Sequence, residues 1–285
     1  MNPIIYPLLM VLIGSADTVY EKSFFAKKFG KYLLFVPMLF IFSFFILIIF
    51  FVPFLEHNIK SAALNTIPLI LFISMIVMAS VRNMLYYYSI QSESLCDIEP
   101  FIVFVPLATI LLAGIVYPDE RSHPIILLLA IIASCALIFS HIRKKHLVFD
   151  KALIPMFAVV ILSAAENVII KELLVNFSPV ALYTIRSFFI ALLLIFSVRP
   201  RFKELTRKDI KNLFLISFLW VFTMIFYYYA YQKVGVVYTE LINTLSPVLI
   251  VMGSYLFLKD RTITKRNIFA LIVIIVCVII AQFLG

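Results

Sequence analysis

The sequence predicts an all-α integral membrane protein of ten transmembrane helices, arranged as two inverted five-helix repeats. Three observations carry this reading: the composition, ten apolar runs of spanning length, and polar residues that recur in register between the halves. Of 285 residues, 64% are hydrophobic and only 14% charged, and the mean hydropathy is +1.11. A soluble domain has nearly half its residues apolar and disperses its charges along the chain. Here the charges are bunched between apolar runs, so the solvent is lipid. A hydrocarbon core of roughly 30 Å takes about 20 helical residues, with every backbone amide satisfied inside its own segment. The short alternating segments of a membrane barrel are missing from the sequence.

The runs lie at 3–24, 32–54, 66–90, 98–117, 123–142, 152–172, 178–198, 212–233, 235–258 and 264–284. The longest breaks, 55–65, 143–151 and 199–211, leave no room for a soluble catalytic domain, so function is expected inside the bundle. The first run has no basic stretch before it and no Ala-x-Ala cleavage site, and it reads as a retained helix.

The net charge of +9 would suggest nucleic acid in a soluble protein, but its distribution is one-sided. Breaks after odd-numbered runs, with the run ends beside them, carry 17 Lys and Arg, among them Lys27, Arg143, Lys203, Arg207 and Arg261; those after even-numbered runs, counted the same way, carry four, Lys60, Arg121, Lys171 and Lys233. The positive-inside rule places the odd breaks in the cytoplasm and both termini outside. The expected location is the cytoplasmic (inner) membrane of a prokaryotic cell. The partners expected are the lipid bilayer, a small-molecule substrate and protons, but no nucleic acid, with the chain a monomer or weak dimer.

Cys96, Cys135 and Cys277 have no paired spacing and predict neither a disulfide nor a zinc site. His57, His123, His141 and His146 all fall in breaks or at run edges. Gly-x-Ser-x-Gly, His-Glu-x-x-His and glycine-rich phosphate loops do not occur, so the expectation is a non-enzyme without metal or cofactor.

At an offset of 141, Tyr86, Tyr87 and Tyr88 fall on Tyr227, Tyr228 and Tyr229, Gln91 on Gln232, Glu99 on Glu240, Pro106 on Pro247 and Asp119 on Asp260. Polar residues and prolines registering together are harder to obtain by chance than apolar identities. Upstream the frame shifts: Ser43, Phe44 and Phe45 meet Ser187, Phe188 and Phe189, while Ala16, Asp17, Val19 and Lys22 meet Ala165, Glu166, Val168 and Lys171. Each half, 1–146 and 147–285, therefore holds five runs. An odd number per repeat inverts the second half relative to the first and allows alternating access about a central site.

Glu240 to Asp260 (ELINTLSPVLIVMGSYLFLKD) resembles the penultimate-helix signature of EamA-type domains in the drug/metabolite transporter superfamily. Pro106 and the YPDE of 117–120 are its first-half counterpart. Ala165 to Lys171 resembles the family's first-helix ending and Arg186 the arginine of its second helix, whereas in the first half Phe42 stands opposite Arg186. The resemblance implies a ten-helix carrier, a cavity lined by the third helix of each repeat, and termini inside; the charges argue the reverse orientation. The N-terminal run also resembles the first helix of small multidrug resistance antiporters. Their membrane-embedded acid falls at Gly14, with Asp17 one turn further along the same face.

Ionisable groups inside spans are costly in lipid unless paired or facing a wet cavity. Asp17, Arg82 and Glu99 are expected toward the cytoplasmic half, and Glu166, Arg186 and Glu240 toward the outer half. Each set forms one gate, with Arg held by carboxylates, and the acids exchange a proton or bind a cationic group. One tyrosine of each triplet, with Tyr87 and Tyr228 as candidates, faces inward, the others joining an interfacial belt. Asn243, Gln91 and Gln232 are candidate substrate contacts, and Pro106 and Pro247 matched kinks. The expected function is secondary active export of amino acids or related metabolites, since both signs of charge lie in the bundle. The alternative is a multidrug efflux antiporter for cationic compounds.

Overall fold

The computed structural model describes residues 3–28, 32–92, 101–121, 124–141, 154–200, 202, 205–258 and 265–284. Among them the only β-type pairing is an isolated bridge between Ile59 and Phe177; the rest is helix and connection. The helices are α1 Ile5–Lys28, α2 Tyr32–Ile46, α3 Thr66–Ser92, α4 Phe104–Val116, α5 Pro124–His141, α6 Ile154–Leu173, α7 Pro179–Val198, α8 Arg207–Val234, α9 Val236–Asn243, α10 Ser246–Gly253 and α11 Lys265–Leu284. A π-helical turn, Leu47–Phe51, continues α2, and another, Ser254–Leu258, continues α10. With α9 and α10 counted as one broken helix, the described residues make ten helices, of which α1 carries Asp17, Glu21 and Lys22 among its apolar residues. Six are long and apolar enough to cross a bilayer, and α4, α5 and α11 are shorter apolar helices.

Side chains are sorted inside out relative to a soluble protein. Phe257 is 80% exposed and Ile115 72%, while Glu166 and Arg186 are each 1% exposed. Lipid is as apolar as leucine, so it is the polar groups that gain from burial against partners.

Several ends carry local signals. Ser178 caps α7 ahead of Pro179, and Thr206 and Asp209 form a capping box that starts α8 before the apolar run does. Helix α1 likewise runs past the apolar run to Lys28. Pro247 does not bend a continuous helix: the chain leaves α9 at Thr244 and Pro247 opens α10, where its missing N–H needs no partner. Pro106 sits in the first turn of α4, just after a turn residue at Val103. The expected kinks are therefore helix breaks, at positions that match between the halves.

Helix α1 packs on α8 and α3 on α6; α2 packs on α7, α4 on α6 and α9, and α1 on α10. Gly14 lets α1 approach α8, since a Cβ there would lie 2.9 Å from Thr223 Cγ2. One end of the bundle is tied together. The Lys60 amide donates to Asn176 O and the Ser178 amide to Asn58 O, both at 2.9 Å, while Lys60 Nζ reaches Val175 O at 2.7 Å. At the same end Lys171 Nζ, from the last turn of α6, meets Asp119 at 2.7 Å and Glu120 at 2.6 Å. The Glu120 carboxylate also accepts the Val236 and Val237 amides at 2.7 and 3.0 Å, capping α9. Gly235 holds φ at +85°, and a Cβ there would fall 2.8 Å from Glu120 Oε1.

Candidate functional site

A cavity of about 280 Å³ lies among α1, α3, α4, α6, α7, α8 and the α9–α10 break. Its charged lining residues are Glu21, Arg82, Glu166 and Arg186. Helix α1 presents Gly14, Thr18 and Glu21 along one stripe, spaced about one turn apart. The Gly14 position, where the resembling antiporters keep an acid, thus does face the cavity, without a carboxylate.

Glu166 is held between two guanidinium groups. Arg186 Nη2 donates to Oε1, and Arg82 Nε lies 3.3 Å from Oε2. The two sequence-predicted sets are therefore not separate: Arg82, from the first half, pairs with an acid of the second. The reason is packing, because α3 lies against α6 and brings residue 82 to residue 166. Arg186 Nε and Nη1 are buried with no hydrogen-bond partner among the described residues.

Glu240, fully buried, sits behind the lining rather than on it. Its Oε1 accepts the hydroxyls of Tyr227 and, at 2.6 Å, Tyr231, and the Asn167 amide at 3.5 Å. Its Oε2 accepts Asn243 Nδ2 at 3.0 Å. Tyrosines and amides, not an arginine, hold this acid, contrary to the gate pattern read from the sequence. Asn243 itself lines the cavity and links it to Glu240.

Tyr87 donates to Glu21 Oε1 at 2.5 Å. Glu21, 8% exposed, was not singled out by the sequence; beside Lys22 near the end of an apolar run it reads as interfacial. The signal that could have found it is Asp17, one helical turn earlier on the same face. Asp17 is buried, is not part of the lining, and its Oδ1 has no hydrogen-bond partner among the described residues. Two tyrosines of each triplet reach the cavity, Tyr86 with Tyr87 and Tyr227 with Tyr228, where one was expected; Tyr88 is exposed and Tyr229 stacks on Tyr6 at 5.4 Å. Trp220, Thr223 and Met224 on α8 were also missed.

Gln232 does not reach the cavity. It lies in the last turn of α8, exposed, with Nε2 3.5 Å from Leu174 O. Gln91 is in α3, and nothing further is described of it. Glu99, Cys96, His123 and His146 lie outside the described residues, as does Asp260.

No curated protein matches the chain. A crystal structure of another protein superposes with a TM-score of 0.74 at 13% identity, covering 99% of this chain and 97% of that one, which shows a shared fold. Residues 150–282, from just before α6 to near the end of α11, match the EamA-like transporter family. Residues 150–282 thus carry the EamA-like transporter pattern of the drug/metabolite transporter superfamily, and the molecule is a multi-pass membrane protein.

Proposed function

We propose that the chain is a secondary active transporter that exports zwitterionic small metabolites, amino acids and their relatives, by alternating access. The observation that carries this reading is the two-signed cavity: the Arg82 and Arg186 pair outweighs Glu166 by one positive charge, and Glu21 supplies the opposite charge on α1. A dipolar substrate satisfies both walls, whereas a monopole leaves one unpaired in a low-dielectric site.

Several observations support inverted halves, 1–146 and 147–285, as the moving parts. Contacts come in exchanged pairs, α1 on α8 with α3 on α6, and α4 on α6 with α1 on α10. The breaks before Pro106 and Pro247 match in the same way. The clasp at one end, through Lys171, Glu120 and the 55–60 segment, favours access from the other. By the charge bias the clasped end is outer and both termini lie outside, in a cytoplasmic membrane. Glu21 and Asp17, buried one turn apart, are the acids best placed to carry a coupling proton, because Glu166 and Glu240 are held by cations or several donors. One chain encloses the whole cavity, so a monomer suffices.

The test is exchange in proteoliposomes holding the purified chain and an amino-acid mixture. Saturable counterflow of one or more amino acids is expected. A second reading, efflux of cationic compounds, draws on the tyrosines and Glu21; exchange of tetraphenylphosphonium without that of any amino acid would favour it.

A further inference from the structure

The two guanidinium groups on Glu166 are under-neutralised. Arg186 is 1% exposed, yet its Nε and Nη1 donate to nothing among the described residues, and one carboxylate serves both arginines. Buried donors without acceptors are rare, and a buried guanidinium with a single partial counter-ion is costly until a second anion arrives. Tyr228, which lines the cavity beside them, has a buried hydroxyl that is also without a partner among the described residues. The cavity therefore holds a cluster of unused donors around a fixed positive charge. Arg82 keeps 18% of its side chain exposed, against 1% for Glu166, so the cluster can be reached from the cavity.

We infer that Arg82, Arg186 and Tyr228 form a subsite for the carboxylate of the substrate, and that Glu166 is the resident anion with which that carboxylate competes. The inference rests on the carrier reading above and names the group by which the cargo is held. Charge decides the class of anion. The arginine pair with Glu166 carries one net positive charge, which a carboxylate neutralises and a phosphate dianion would exceed. Guanidinium groups also match the planar, two-oxygen shape of a carboxylate. The competition gives Glu166 a role in turnover: it lowers the affinity of the loaded state and takes the arginines back when cargo leaves.

The subsite is tested on the full-length protein in detergent, by thermal stabilisation with the twenty amino acids and their α-amides, which keep the ammonium and lose the carboxylate charge. At least one acid is expected to stabilise the protein with an affinity about tenfold or more above that of its amide. Glu166→Gln is expected to tighten binding of that acid, not of the amide, and to slow its counterflow; Arg186→Lys is expected to remove the preference. Amides binding as well as acids, or no acid binding at all, would overturn the assignment, and the wild-type comparison decides even where a variant does not fold. Equal binding with saturable counterflow of amides sinks the subsite while leaving the carrier reading intact. Absence of counterflow by any compound sinks the carrier reading instead.

Discussion

Glu120 caps α9 from a different part of the chain: its two carboxylate oxygens accept the amides of Val236 and Val237 at 2.7 and 3.0 Å while Lys171 holds it from the side at 2.6 Å. One acid so ties the loop after α4 to the end of α6 and the start of α9. Replacing it with alanine is expected to cost about 1–3 kcal/mol, the range for loss of a charged cap together with a partly buried pair. Chemical unfolding in mixed micelles measures this, and Glu120→Gln, which keeps a single acceptor oxygen, should fall between.

Gly235→Ala tests the same clasp from the backbone side. The residue has φ +85° and its Cβ would meet Glu120 Oε1 at 2.8 Å, so both strain and displacement act. A destabilisation of about 1–2 kcal/mol is expected. A variant as stable as the parent would mean that the clasp contributes little.

Asp119 gives the clasp a pH dependence of known sign. The hydrogen bond from Lys171 holds its carboxyl below the ordinary range, despite a small opposing effect of burial. Its contribution is complete above its unfolded value near 4 and is lost as pH falls through the lowered folded value. The group is largely exposed, so the contribution is at most about 1 kcal/mol. The melting-temperature gap between the parent and Asp119→Asn should be constant above about pH 5 and narrow as pH falls below about 4; a gap that does not change with pH contradicts the pairing.

The cradle of Glu240 is shared among donors, and its loss is expected to be non-additive. Tyr231→Phe leaves Tyr227, Asn243 and Asn167 in place and should cost about 1–2 kcal/mol. Tyr227→Phe combined with Tyr231→Phe strips both hydroxyls from one buried oxygen and should cost more than the sum. A double-mutant cycle in unfolding free energy reads the excess.

Orientation is checked by labelling intact cells. In a background lacking Cys96, Cys135 and Cys277, a cysteine at exposed Glu56 should react with a membrane-impermeant maleimide, and one at exposed Lys208 only after permeabilisation. The opposite pattern would place the termini inside.

Spans were legible in the sequence because crossing a bilayer demands about 20 apolar residues whatever the partners. Asp17, Arg82, Glu166, Arg186 and Glu240 were legible because an ionised group in lipid must have a reason to be there. Their partners were not. The meeting of Arg82 with Glu166 depends on α3 lying against α6, which no local spacing encodes. Glu21 was missed because α1 continues to Lys28, past the apolar run, so a residue that reads as interfacial is well inside the helix. The break at Thr244 was read as a bend because proline in the sequence does not say whether a helix continues through it or begins at it.

The 2.9 Å clearance between the Gly14 Cβ position and Thr223 sets a limit on redesign. Installing a glutamate at position 14, to mimic the drug antiporters, would wedge α1 away from α8 before the new carboxylate met any ligand. Thr18 is the alternative graft point: it lines the same wall and already carries a side chain there, whose hydroxyl donates to Gly14 O at 2.9 Å.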